Sequence, residues 1–199
     1  MFKVGITGGI GSGKSIISNI FRNLDVPVYE ADSEAKRIIS EDENIRGELL
    51  AYFGTEVFQD QQLNRNYLSE RIFSDPEARS FVNSMVHPEV RSDFIKWVKK
   101  QTSAPYVVEE AALLFETGTW KELDYNILIV TSQETRIERI MKRDGMSRAD
   151  ILARMASQMD PEKAMELADF VITNYEEEFV IPQVLKVDEN IRNLARDKT

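Results

Sequence analysis

Short apolar segments alternate with amphipathic ones along most of this chain. Residues 2–7 are rich in β-branched side chains and stop at two glycines, which predicts a strand. Residues 14–23 carry apolar side chains three or four positions apart, the spacing of a helix with one buried face. The same patterns predict strands at 27–30, 106–108, 125–130 and 170–173, and helices at 32–40, at 133–143 and over most of the chain after 173. Short, nearly all-apolar strands between helices predict an α/β fold, in which helices cover both faces of a parallel sheet.

Two stretches interrupt this alternation. Residues 44–101 have the pattern of successive helices with few strand candidates, which predicts a helical insertion beside the sheet. Residues 133–160 have the pattern of a helical hairpin, which we expect to form a mobile lid. The predicted division is a core at 1–43, 102–132 and 161–199, a helical domain at 44–101 and a lid at 133–160.

Five of the nine glycines fall between positions 5 and 13. They belong to the segment 8–15, which matches the phosphate-loop pattern G-x-x-x-x-G-K-[ST] in full and lies between a predicted strand and a predicted helix. Glycines let backbone N–H groups converge on phosphate oxygens, Lys14 can reach the β- and γ-phosphates, and the Ser15 hydroxyl can bind Mg²⁺. The chain is therefore expected to be a P-loop NTPase-type protein that binds a nucleoside triphosphate with Mg²⁺. The expected nucleotide contacts are Gly9, Ile10, Gly11, Ser12, Gly13, Lys14, Ser15 and Ile16.

Composition excludes several classes of function. The 34 acidic and 25 basic residues give a net charge of −9, which disfavours binding to nucleic acid. The chain has no cysteine and one histidine, so it has no disulfides, no cysteine nucleophile and no histidine-based zinc site. No apolar run is long enough for a transmembrane helix, and no signal-peptide pattern is present. We expect a soluble, cytoplasmic protein without membrane partners.

The chain lacks the N-K-x-D motif that reads guanine, and 199 residues leave little room for motor machinery. A kinase that transfers the γ-phosphoryl group to a small acceptor fits best. Two alternatives remain: a kinase for a nucleoside or a nucleoside monophosphate, and an ATP-binding regulatory module without turnover.

Carboxylates follow two of the predicted strands, at the edge of a parallel sheet where ligands bind. Asp32 can accept a proton from an attacking hydroxyl, or it can cap the helix that follows. Glu109 or Glu110 can hold a metal ion through water. The spacing alone does not choose between these alternatives.

The order of the motifs resembles the dephospho-CoA kinase family nearly end to end. The resemblance depends on V-G-I-T-G-G-I-G-S-G-K-S at 4–15, Ala31-Asp32, Leu63-Asn64-Arg65 with Leu68 and Phe73, His87-Pro88, Leu113-Leu114-Phe115-Glu116, Arg143-Asp144, Arg154-x-x-x-Gln158, Ala168-Asp169 and Asn174. Two positions depart from the family pattern, Ala112 in place of a proline and Ile16 in place of a smaller residue or Thr. Neither departure removes a catalytic group.

The resemblance implies that the chain transfers the ATP γ-phosphoryl group to the ribose 3′-hydroxyl of dephospho-CoA, with Mg²⁺, in the last step of coenzyme A biosynthesis. It implies that the helical domain binds the CoA substrate and that the protein is a monomer or a weak homo-oligomer. The implied catalytic residues are Asp32, Lys14 and Arg143; the implied substrate-binding residues are Asp32, Arg65 and His87; Asn174 joins the ATP-binding set.

Six basic residues lie between positions 136 and 154. Interleaved acidic residues favour a solvated helix face held by i,i+4 pairs. Arg143, beside the predicted turn between the two lid helices, is chosen as the functional cation, both from the phosphoryl-transfer template and from the resemblance. Arg136 and Arg139 are expected to be structural.

Two residues of the helical domain have competing interpretations. Arg65 is expected either to contact a substrate phosphate or to pair with Glu70. His87 precedes Pro88, which predicts an extended backbone at a helix boundary. A lone histidine is more often structural, whereas the resemblance implies that His87 contributes to the CoA site.

Overall fold

A computed structural model describes residues 1–60 and 62–197. The strands are β1 (Phe2–Gly8), β2 (Val28–Glu30), β3 (Phe58–Gln59), β4 (Gln62–Leu63), β5 (Tyr106–Glu110), β6 (Tyr125–Val130) and β7 (Phe170–Thr173). The α-helices are α1 (Lys14–Asn23), α2 (Ala31–Glu41), α3 (Glu43–Phe53), α4 (Arg65–Ser74), α5 (Pro76–Val98), α6 (Gln133–Asp144), α7 (Arg148–Ala156), α8 (Pro161–Leu167) and α9 (Val180–Asp197). The described chain forms two compact units: a core unit, made of Met1–Glu30 and the chain from Gln101 onward, and a helical unit, Ala31–Lys100.

The core unit is built on a five-stranded parallel sheet in the order β2-β5-β1-β6-β7. On one face, buried residues of α1 and α9 such as Phe21 and Ile191 pack on the strands. On the other face, Phe115 and Ala164 of α8 pack on Leu128 of β6. The predicted parallel sheet covered on both faces is thereby confirmed.

The strand register determines which residues share the carboxyl edge of the sheet. Ile6 of β1 lies opposite Glu110, and Gly8 lies opposite Ile129. Val130 in turn lies opposite Thr173 of β7. The phosphate-loop segment, the end of β5 and the segments after β6 and β7 therefore all meet at this edge, where ligands bind in parallel α/β sheets.

The helical unit contains one long helix where the sequence predicts a break. Helix α5 continues through Pro88, so the predicted extended backbone at His87 is wrong. The buried residues of α5 recur every fourth position: Ala78, Val82, Val86, Val90 and Phe94. Helix α5 packs against α2, α3 and α4, and burial of this stripe offsets the cost of about 3 kcal/mol of a proline inside a helix. A short antiparallel hairpin, β3 and β4, was also not expected.

The helical unit begins at Ala31 and includes α2, which packs against α3 and α5. From the sequence alone, α2 is assigned to the core. The segment 133–160 forms α6 and α7 within the core unit. Substrate binding by 44–101 and lid closure by 133–160 stay predictions. Among the described helices, none combines the length and the apolar character that crossing a bilayer requires.

Candidate active site

The phosphate loop runs from Gly8, the last residue of β1, to Lys14, the first residue of α1. Gly13 has a left-handed backbone, with φ 98°, which favours glycine, and no side chain caps α1 in the described chain. The six described helices α3 to α8 each start with an Asp, Asn or Ser side chain that accepts a first-turn N–H. The start of α1 can therefore offer its backbone donors and its positive dipole end to an anion.

Two polar contacts stabilise this loop. The Lys14 amine donates a hydrogen bond to the Gly8 carbonyl at 2.9 Å, which folds the side chain back over the loop. The Asn174 amide donates to the Ser12 carbonyl at 2.8 Å, and a Cβ atom at Gly13 would lie 2.4 Å from the Asn174 nitrogen. The structure thus brings Asn174, predicted to bind nucleotide, onto the loop, and explains why position 13 must lack a side chain.

The first part of the loop contacts the two predicted lid helices. Ile10 packs against a buried cluster of Ile137, Ile140 and Ile151 from α6 and α7. The Ile10 N–H donates to the Gln158 side-chain oxygen at 2.9 Å. The segment 133–160 is thus bonded to the loop at Ile10.

The arginines of α6 differ in where they lie. A Cβ atom at Gly9 would be 2.2 Å from Arg136 Nη1, so this guanidinium rests directly on the loop. Arg139 donates to the Asn174 carbonyl at 3.4 Å and lies near Gly13. Arg143, by contrast, has a side chain 65% exposed and makes two 2.8 Å hydrogen bonds to Asp144. The two arginines expected to be structural are the ones that the structure places at the loop.

A signal for this arrangement was present in the sequence. Arg136, Arg139 and Arg143 are spaced i, i+3 and i+7, so they share one face of α6. The helix also starts three residues after β6, at the same sheet edge as the loop. The interleaved acidic residues obscured it: Glu134 pairs with Arg148 across the hairpin, and not with a residue one turn away.

Glu109 and Glu110 lie within β5 and point to opposite faces of the sheet, because side chains alternate along a strand. Glu110 lies on the α1 face, where the Ser18 hydroxyl donates to it at 3.5 Å. Ser18 follows Ser15 by one helical turn. Glu109 lies on the other face, is only 4% exposed, and has a carboxylate oxygen without a hydrogen bond in the described chain. Burial, with the like charge of Glu122, raises the pKa of Glu109 to about 7.

We expect Glu109→Gln to stabilise the protein more at pH 8 than at pH 5. The folded protein holds a proton on Glu109 up to pH about 7, whereas the unfolded chain loses it near 4.5. The parent's free energy of unfolding therefore falls as the pH rises through this interval, by about 2–3 kcal/mol. Glutamine removes that loss. Chemical unfolding at both pH values measures it, with exposed Glu162→Gln as the control; an equal gain or loss at both pH values would contradict the burial effect.

The helical unit carries the other predicted site residues. Asp32 is the second residue of α2, is exposed, and makes no capping hydrogen bond to the described first-turn N–H groups. Arg65 is the first residue of α4, is exposed, and forms no ion pair with Glu70 in the described chain. His87 is exposed in the middle of α5. Helix capping by Asp32 and the pairing of Arg65 with Glu70 are thus both unsupported.

The chain is similar to known proteins over nearly its whole length. The family model for dephospho-CoA kinase matches residues 2–178. A dephospho-CoA kinase of Bacteroides fragilis is 39% identical over 185 residues, which cover 93% of this chain and 90% of that protein. The crystal structure of TT1252 from Thermus thermophilus has a TM-score of 0.84 and 35% identity, with 95% and 96% of the two chains covered. The dephospho-CoA kinase of Campylobacter jejuni has a TM-score of 0.69 and 26% identity, with 99% and 98% covered.

Proposed function

The chain belongs to the dephospho-CoA kinase family, and from this premise we propose that it transfers the γ-phosphoryl group of ATP to the ribose 3′-hydroxyl of dephospho-CoA. The products are coenzyme A and ADP, and the reaction is the last step of coenzyme A biosynthesis. One observation carries the proposal: a complete phosphate loop joins β1 to α1 in a chain whose residues 2–178 match the family. The protein is thus a phosphotransferase with an alcohol group as acceptor.

The phosphate loop of the core unit binds the nucleotide. Its backbone N–H groups, from Gly9 to Ile16, surround the phosphates, and Lys14 exchanges its bond to the Gly8 carbonyl for a bond to phosphate oxygen. Asn174 supports the loop at Ser12 and closes the nucleotide site on that side.

The residues around Ser15 fit a magnesium ion that arrives with ATP. Mg²⁺ prefers oxygen ligands and usually keeps one or two protein ligands with phosphates and waters. Ser15 offers a hydroxyl, and Glu110 on the same face of the sheet offers a carboxylate. Among the described residues, no three His, Cys, Asp or Glu side chains lie together as a metal cluster. Bound Mg²⁺ would neutralise charge on the β- and γ-phosphate oxygens.

Glu110→Gln should raise the Mg²⁺ concentration needed for half-maximal turnover by roughly tenfold, the usual effect of losing an outer-shell partner. Glu109→Gln, on the opposite face, should leave that concentration within about twofold, well short of this effect. Titration of turnover with MgCl₂ at fixed ATP gives both values. A larger shift for Glu109→Gln than for Glu110→Gln would reverse the assignment.

Residues of the helical unit and of the lid are assigned to bind the acceptor and to assist the transfer. We assign Asp32 to accept the proton of the 3′-hydroxyl, and Arg65 and His87 to bind dephospho-CoA. Exposed side chains at all three positions are available to a substrate. Arg143 of α6 is assigned to stabilise the charge that develops during transfer, once nucleotide draws it away from Asp144. We propose that the protein binds ATP and dephospho-CoA and that it binds neither nucleic acid nor membranes. We also propose that it is a cytoplasmic monomer or weak homo-oligomer.

A coupled ADP-release assay with a panel of acceptors tests the proposal. Dephospho-CoA should support turnover far above the ATPase background, whereas nucleosides and nucleoside monophosphates should not. Preference for a nucleoside or a nucleoside monophosphate would indicate a related kinase. ATP binding without turnover on any acceptor would indicate a regulatory module.

A further inference from the structure

Arg136 is a partly buried cation at the phosphate loop that the proposed function does not use. Its side chain forms no hydrogen bond, ion pair or ring contact with the described residues, and its Nε atom is buried without an acceptor. Resting on the proposed function, we propose that Arg136 binds the γ-phosphate of ATP and discriminates ATP from ADP.

The position of the guanidinium fits a terminal phosphate. Its Nη1 lies 2.2 Å from the place where a Cβ atom of Gly9 would be, so the group packs on the first half of the loop. Lys14, whose amine serves the β- and γ-phosphates, reaches the carbonyl of the adjacent Gly8 at 2.9 Å. Both cations therefore converge on Gly8–Gly9. Arg139 lies at Gly13, the opposite end of the loop, where α1 begins.

Arg136 also borders an open space that a ligand can enter. A cavity of about 370 Å³ lies beside Gly8 and Gly9, between the sheet edge and α7. Phe115, Met155 and Met159 give it apolar walls. Apolar walls strengthen a charge-assisted hydrogen bond, because they exclude the water that would compete for the guanidinium.

Charge balance supports an anion as the missing partner. A partly buried arginine without a counter-ion is destabilising, and burial lowers the pKa of Arg136. The carboxylate that lines the same cavity, Glu116, accepts a hydrogen bond from the Met159 N–H at 2.8 Å. Two exposed arginines of the hairpin have counter-ions, Arg143 with Asp144 and Arg148 with Glu134. Arg136 is thus positioned for a charge that the described chain does not supply.

Calorimetric titration with Mg²⁺ and either ADP or a non-hydrolysable ATP analogue tests this inference. Arg136→Met keeps the length of the side chain and removes its charge and donors. It should weaken binding of the ATP analogue roughly 10- to 100-fold, the range for loss of a charge-assisted hydrogen bond, and binding of ADP by less than about threefold. Arg148→Met, at an exposed ion pair of the same hairpin, should change neither. Arg136→Lys should also weaken binding of the ATP analogue, but by less than Arg136→Met does. It serves as the test if Arg136→Met does not fold.

The outcomes separate this inference from the proposed function. If the parent binds neither nucleotide, the proposed function is wrong. If the parent binds both nucleotides, two results would contradict the role of Arg136 in recognising the γ-phosphate. The Arg136 variants could bind the ATP analogue as tightly as the parent does, or they could lose as much affinity for ADP as for the ATP analogue.

Discussion

Asp32→Asn is expected to give a folded protein that binds ATP and has lost nearly all phosphoryl transfer. An amide is neutral and barely basic, so it cannot take the proton of the 3′-hydroxyl. Turnover should fall by about 10²–10⁴-fold, the usual contribution of a general base. Nucleotide affinity should be unchanged, because the phosphate loop keeps all its groups. Steady-state kinetics with saturating ATP and dephospho-CoA, beside a nucleotide titration, provide the measurement.

The melting temperature of Asp32→Asn shows whether a loss of activity comes from a loss of stability. Asp32 lies inside the first turn of α2 and makes no capping hydrogen bond there, so the melting temperature should stay near that of the parent. Asp42→Asn is a matched control, because Asp42 caps α3 through the Ile45 N–H and asparagine caps about as well. Loss of a general base should reduce turnover by about 10²-fold or more. If Asp32→Asn keeps more than about a tenth of parental turnover, another group takes the proton.

Lys14→Ala is expected to remove most of the phosphoryl transfer and leave the fold intact. The Lys14 amine donates to the Gly8 carbonyl of the loop at 2.9 Å, and its side chain is not part of the buried apolar core, so its removal opens no cavity there. Loss of one preorganised charge contact in the transition state should cost about 2–4 kcal/mol, a fall of roughly 30- to 1000-fold in turnover. Turnover at saturating Mg-ATP and a melting curve test both parts.

Lys186→Ala, on the exposed surface of α9, is the matched control for Lys14→Ala and should keep parental turnover. If Lys14→Ala turned over at a near-parental rate, the phosphate-loop assignment would be contradicted. If it unfolded, the lysine would have a structural role in the loop beyond its bond to the Gly8 carbonyl.

The sequence predicted the elements whose signals are local. Helix α1 and strands β6 and β7 have the predicted bounds, because each apolar run ends at a glycine, a polar residue or a turn. The predicted break at Pro88 was wrong because the local cost of a proline is outweighed by burial of the stripe from Ala78 to Phe94. That burial depends on packing against the other helices of the unit. The two-residue strands β3 and β4 are too short to have a recognisable period.

The candidate site divides in the same way. The phosphate loop was predictable because one continuous segment supplies both its glycines and its lysine. The roles of Arg136 and Arg143 depend on how α6 packs against that loop, which no spacing within the helix determines. The choice between Glu109 and Glu110 required the direction of the side chains in β5, and this depends on the register with β1.

Identification of the phosphorylated product shows which hydroxyl of the substrate this protein phosphorylates. The purified protein is incubated with dephospho-CoA, Mg²⁺ and ATP labelled at the γ-phosphate, and the product is analysed by mass spectrometry and phosphorus NMR. We expect one label to be transferred for each ADP released, and the new phosphate monoester to lie on the ribose 3′-oxygen. A product labelled at another position, or ADP release without a labelled CoA product, would contradict the assignment of this chain as a dephospho-CoA 3′-kinase.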